Sequence, residues 1–182
     1  MTLENDLSAA PLGLGETLRA RGFDALTVVQ AAVVAADAVG RDLRISSQTG
    51  SGKTVAVGLA VADQVAAHQR TGSRTASPCV LVIAPTRELA QQLGREMTWL
   101  YEPLNARVVA VTGGTNPLEE RRGLSGEPAV VVGTPGRLLD HLRHGSLSLA
   151  NMNAVVLDEA DQMLDMDFEE ELHAILGHAP AE

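Results

Sequence analysis

Short runs of β-branched and aliphatic residues alternate along this chain with longer stretches in which apolar positions recur every three or four residues. DLRIS (42–46), with Leu43 and Ile45 apolar, is one strand candidate, and the runs CVLVIA (79–84), RVVAV (107–111), AVVVG (129–133) and AVVL (154–157) are apolar nearly throughout. That is the pattern of strands buried on both faces. Helical period fills the gaps: TVAVGLAVADQVAAHQ (54–69), TRELAQQLGREMTWLY (86–101), GRLLDHLRH (136–144) and FEEELHAIL (168–176). In the second of these, Leu89, Leu93, Met97 and Leu100 form one stripe. Strand then helix, repeated, predicts an α/β fold: a parallel sheet with helices on both faces. Residues 1–20 read as a loose lead-in to a short helix, GETLRARG (15–22), and residues 21–182 as one domain. RTGSRTASP (70–78) reads as a polar loop.

Sheets of this kind bind ligands beyond the carboxyl ends of their strands. The polar and glycine-rich motifs of this chain fall just after its strand runs. One of them, ISSQTGSGKT (45–54), contains the only lysine, Lys53; arginine serves at every other basic position apart from histidine. Phosphate loops follow G-x-x-x-x-G-K-[ST] between a strand and a helix. Here Gly52, Lys53 and Thr54 match, while Ser47 stands where the first glycine is expected. Gly50 and Gly52 let the backbone curl so that N–H groups point inward, and the helix that follows adds its positive end. A flexible ammonium suits a loop wrapped closely around phosphate better than a planar guanidinium does. Lys53 would reach the β- and γ-phosphates, and Thr54 would hold Mg²⁺ through its hydroxyl. The bland alternative is a glycine-rich turn that happens to precede a helix.

A magnesium-nucleotide site also needs an acid opposite the loop. VVLDEADQML supplies one: an apolar strand ending in Asp158 and Glu159, with Asp161 two residues on. Asp158 would hold the metal and Glu159 would orient and deprotonate a water. The alternative is an acidic helix N-terminus, where Asp and Glu are favoured in any case.

Composition narrows the choice. Charged residues are 20% and hydrophobic residues 45%, so the chain should fold. A net charge of -9 argues against coating nucleic acid by bulk charge, though not against local phosphate contacts. Aromatic residues are only 2%, too few for a base-stacking platform. Cys79 is the single cysteine and reads as a buried strand residue. With no apolar run near the roughly 20 residues needed to span a membrane, it favours a reducing, cytoplasmic setting. His141 and His144, three apart on a predicted helix, read as a solvated face rather than a metal pair.

These motifs resemble those of the DEAD-box ATP-dependent RNA helicases, specifically their N-terminal RecA-like P-loop NTPase domain. Asp158-Glu159-Ala160-Asp161 spells the name motif; QTGSGKT (48–54) resembles the phosphate loop, PTRELA (85–90) motif Ia, Gly113-Gly114 the double glycine and TPGR (134–137) motif Ib. GFDALTVVQ (22–30) is similar to the Q motif, with Leu26 and Val28 at positions where prolines are usual. The family's aromatic residue over the adenine has no evident counterpart; Leu7 is near that position.

The resemblance implies ATP and Mg²⁺ as cofactors, held by Ser47, Gln48, Thr49, Gly50, Ser51, Gly52, Lys53 and Thr54, with Gln30 reading adenine. Lacking the prolines, Gln30 is expected to be held less rigidly. Phe23 fits either the adenine pocket or the core. Thr86, Arg87, Gly113, Gly114, Thr134, Gly136 and Arg137 are implied to line a path for one RNA strand, recognised by its backbone and not by sequence. Without the resemblance, Arg87 and Glu88 would read as a helix-end ion pair and Gly136 as a helix start. The family's Ser-Ala-Thr motif is not found in the sequence; its strand would lie between those carrying Lys53 and Asp158, and is expected to be trimmed or supplied by another chain. A second RecA-like domain is implied as a partner, so this polypeptide is expected not to unwind RNA alone. A DNA helicase or translocase, and a non-enzymatic binding module, are the competing readings.

Overall fold

The computed structural model describes residues 5–36, 41–48, 50–71, 77–114 and 116–180. Four parallel strands, β1 (Val80–Ile83), β2 (Val108–Val111), β3 (Val130–Gly133) and β4 (Ala154–Leu157), form a sheet of order β2-β3-β1-β4. They fall within four of the five predicted apolar runs. Because successive side chains point to opposite faces, β1 divides its residues between two cores. Val80 and Val82 face a core completed by α1 (Leu14–Ala20), α3 (Lys53–Ala60) and α5 (Arg87–Leu100). Leu81 and Ile83 face the other, built with α7 (Pro135–Arg143) and α9 (Glu169–Leu176). Both faces are covered, as the sequence predicts.

The fifth run, 42–46, is not a strand. A parallel strand exists only by its ladder, and no described strand borders this segment. Only Ile45 of it packs on the core. Among the described residues, β4 is therefore an edge. Ala154 and Asp158 donate to the carbonyls of Cys79 and Ile83. By alternation Val155 and Leu157 turn their backbone groups outward.

Other elements refine the expectations. The predicted helix over 54–69 is two, α3 and α4 (Ala62–Thr71), broken at Val61 (φ -105, ψ 9) with no breaker residue. Residues 5–20, expected to be a loose lead-in, instead pack firmly: Leu7, Leu14 and Leu18 are buried. Leu7 thus belongs to the core. Three further helices appear: α2 (Val28–Ala35), α6 (Pro117–Leu124) and α8 (Ala160–Asp165). Tyr101, fully buried, donates through its hydroxyl to the Gly58 carbonyl at 2.6 Å and ties α3 to the end of α5. Burial pushes its phenol pKa upward. Burial likewise pushes the Cys79 thiol up to about 11, which leaves it inert. Among the described residues no helix is long and apolar enough to cross a membrane.

Candidate functional site

The phosphate-loop segment runs as irregular coil to a turn in which Ser51 N–H meets the Gln48 carbonyl at 3.3 Å. Gly50 (φ +78) and Gly52 (φ +87) both take the left-handed conformation that glycine allows without penalty. α3 starts immediately after, with Gly52 as its N-cap. Ser47, in place of the first glycine, bridges the loop through its hydroxyl, 2.7 Å from that of Ser51. Thr49 lies outside the described residues.

Lys53, on the first turn of α3, places its Nζ 3.2 Å from Glu159 Oε1, 106 residues away in sequence. Glu159 sits just beyond β4 with φ +52, a strained position for a residue with a side chain. That turn carries its carboxylate toward the lysine. Asp158, half-buried beside it, has its carboxyl pKa raised, first by burial and then by the Glu159 charge; Lys53 opposes both. The two motifs predicted to converge are thus neighbours in space.

Gln30 is fully buried, and both ends of its side-chain amide are hydrogen-bonded. Its Oε1 accepts from Thr27 N–H at 2.9 Å and its Nε2 donates to the Gly52 carbonyl at 3.3 Å. Thr27 Oγ1 accepts in return from Gln30 N–H, completing a capping box at the start of α2. The T-x-x-Q spacing encodes this box. Leu26 is buried, while Val28 is 72% exposed. Phe23 packs on the core, its ring centroid 6.2 Å from that of Trp99.

A second cluster lies beyond the ends of β1, β2 and β3. Thr86, Arg87, Gly113, Gly114, Thr134, Gly136 and Arg137 all line one open cleft of about 650 Å³. Thr86 caps α5 by accepting from Leu89 N–H at 3.3 Å. Gly113 and Gly114 both have φ +72, and the Arg87 guanidinium lies against them: a Cβ on Gly114 would sit 2.5 Å from its Nη1. The Arg87–Glu88 ion pair does not form among the described contacts. Gly136 is the second residue of α7. Asp140, Met166 and Phe168 also line the cleft, and no motif in the sequence singled them out.

Behind this cleft sits a buried acid that sequence reasoning missed. Glu120, on α6, is 5% exposed. Its Oε1 accepts from Thr112 N–H (3.1 Å) and Gly113 N–H (3.2 Å). Its Oε2 lies 2.6 Å from Arg137 Nε and 2.8 Å from His141 Nε2. His141 is therefore buried, not on a solvated face, because α6 brings a carboxylate over it; His144 alone of the pair is exposed. A larger groove, about 770 Å³, lies by Trp99 and the β2 edge and holds none of the motif residues.

A glycine-rich loop feeding a helix N-terminus, with an acidic pair at the tip of a parallel strand facing its lysine, defines a RecA-like domain of the phosphate-loop class. Comparison with known proteins narrows this. The family model described as DEAD/DEAH box helicase matches residues 27–182, and the chain belongs to that family. It is 40% identical over 173 residues to the DEAD-box ATP-dependent RNA helicase CshA of Bacillus cereus, covering 93% of this chain and 32% of that protein. It is 39% identical over 182 residues to the ATP-dependent RNA helicase DbpA of Escherichia coli, covering 100% of this chain and 38% of that one. A solved structure of a hypothetical ATP-dependent RNA helicase from Sulfolobus tokodaii superposes with a TM-score of 0.77 at 29% identity, covering 91% of this chain and 46% of that one. The chain spans about a third of the length of the curated relatives it matches.

Proposed function

We propose that this domain is the ATP-binding half of an ATP-dependent RNA helicase. In the whole protein, hydrolysis would be coupled to destabilising RNA duplexes, with a second RecA-like domain closing over the site. The observation that carries this reading is the meeting of Lys53 and Glu159 at 3.2 Å, beyond the strand ends, at a glycine-lined loop.

In this reading the loop amides and Lys53 hold the β- and γ-phosphates. The ammonium leaves Glu159 for phosphate oxygen, which frees the Glu159 carboxylate to orient a water and take its proton on Oε1. Thr54 and Asp158 are hard oxygen donors suited to Mg²⁺, which keeps most of its water. Among the described residues no three His, Cys, Asp or Glu side chains gather as a metal cage. The metal would therefore also rely on nucleotide phosphate and water. Bound there, Mg²⁺ would neutralise charge on the phosphates, and its field would favour the ionised form of Asp158. Gln30 spends one N–H on Gly52 and one lone pair on Thr27, so its second N–H and second lone pair would be the groups that meet adenine. The cleft of Arg87, Gly114 and Arg137 would take the sugar-phosphate backbone of one strand, which carries little sequence information. A second domain would add arginine fingers, worth about 10³–10⁵ in rate in comparable enzymes. Cys79, buried and unpaired, fits a cytoplasmic location.

Calorimetric titration of the chain with Mg-ADP tests the nucleotide site. Binding should be lost in Lys53→Ala, and its retention there would sink the assignment. Comparing single-stranded RNA with DNA of the same sequence as ligands tests the other cleft.

A further inference from the structure

The geometry points to Glu120 as the positioning residue of the nucleic-acid cleft, its two oxygens holding the two elements that would touch the strand. This inference rests on the RNA reading of the cleft and adds a residue to it. A carboxylate with a side chain only 4% exposed is costly to bury, and this one is satisfied on both sides. Oε1 takes the amides of Thr112 and Gly113, fixing the turn after β2. Oε2 takes Arg137 Nε at 2.6 Å, a charge-assisted bond that fixes the plane of the guanidinium.

Two consequences follow for recognition. The Gly113 amide, which resemblance would offer to phosphate, already serves Glu120, so Gly114 is left to present the next N–H of that turn. Arg137 is flanked by Glu120 and, at 3.8 Å, by Asp140. Much of its charge is offset there, and it acts chiefly as an aimed donor in the wall of the cleft. His141, 2.8 Å from Oε2 and 3.3 Å from Ser146 Oγ, closes the inner side of the network.

Glu120→Gln separates the two oxygens. Its carbonyl oxygen can still accept from the turn, and its NH₂ can donate to His141 Nε2 in the tautomer that carries its proton on Nδ1. That NH₂ cannot accept from Arg137 Nε, so the guanidinium loses its anchor. The test is an NMR titration of the isotope-labelled chain with a short single-stranded RNA, with Mg-ADP titrated separately as a control. Arg137→Ala should weaken RNA binding about tenfold, the size of one charge-assisted bond. Glu120→Gln should weaken it by a similar factor while the amide spectrum stays folded and Mg-ADP affinity is unchanged. The double variant should bind no more weakly than Arg137→Ala alone, because both changes remove one interaction. If Glu120→Gln binds RNA within about twofold of the parent while Arg137→Ala is impaired, or if the two losses add, Glu120 is structural only and the inference is overturned. If Arg137→Ala itself binds normally, the RNA reading of the cleft fails first and the inference falls with it.

Discussion

Gly50 and Gly52 lie two residues apart in the phosphate loop, in nearly the same backbone conformation, yet replacing each by alanine should have different costs. Both would force a side chain into the left-handed region, at about 1–2 kcal/mol. For Gly50 that is the whole cost, since nothing lies within 4 Å of the added Cβ. At Gly52 the Cβ would sit 2.5 Å from Gln30 Nε2, 3.3 Å from Thr27 Oγ1 and 3.4 Å from Gln30 Cδ. Gln30 is buried and must move, giving up its bond to the Gly52 carbonyl and its half of the capping box. Two such bonds at about 0.5–1.5 kcal/mol each add roughly 1–3 kcal/mol. Gly52→Ala should therefore destabilise the chain by about 2–5 kcal/mol in all, and by about 2 kcal/mol more than Gly50→Ala. Urea unfolding followed by far-UV circular dichroism measures both. In a Gln30→Ala background the excess should largely vanish, because the obstructing side chain is gone. Equal losses for the two glycines, or an excess that survives removal of Gln30, would refute the wedge.

Other outcomes follow from single residues. Gly136→Ala meets open space at an ordinary helical position, so it should stabilise the fold by about 0.4–1 kcal/mol. It should also weaken RNA binding if strand backbone passes close there; an unchanged RNA affinity would remove Gly136 from the path. Tyr101→Phe strips the buried Gly58 carbonyl of its donor and should cost about 1–3 kcal/mol in urea unfolding. A loss below about 0.5 kcal/mol would show that the bond contributes little. Asp158→Asn should abolish ATP turnover in the whole protein yet stabilise the ligand-free chain. The Asp158 pKa is raised in the fold, so the native state holds that proton to higher pH than the unfolded chain does. Its ionisation thus subtracts stability as pH climbs from the ordinary value of 3.8 through the raised one. The gain from Asn should be full above that window and fade below it, as read from Tm against pH; a gain independent of pH would refute the cause.

Strands β1 to β4 were legible because each is apolar on both faces and ends in a polar motif, which for β4 placed Glu159 at one end of the sheet. Residues 42–46 offer only Leu43 and Ile45 as apolar positions, and strand status also depends on a neighbour that local sequence does not contain. The break at Val61 has no glycine or proline to announce it. Glu120 escaped notice because α6 is short and charged, and its partners lie 7 to 21 residues away on two other segments, the turn after β2 and α7. For the same reason His141 looked solvated: its spacing to His144 is local, but its burial is not. Gln30 was the opposite case. The T-x-x-Q capping box was present in the sequence, and it uses only part of the amide's hydrogen-bonding capacity.

The acidic pair rides on β4, a strand fastened along one side only among the described residues. Mechanically it is a cantilever: the amides of Ala154 and Asp158 are anchored to β1, while those of Val155 and Leu157 face away from it. Such a strand opens at lower free energy than one held on both sides. On the proposed reading, part of the binding energy of a magnesium-nucleotide would go into stilling β4, so stiffening that edge would tighten nucleotide binding without adding a single contact to the nucleotide.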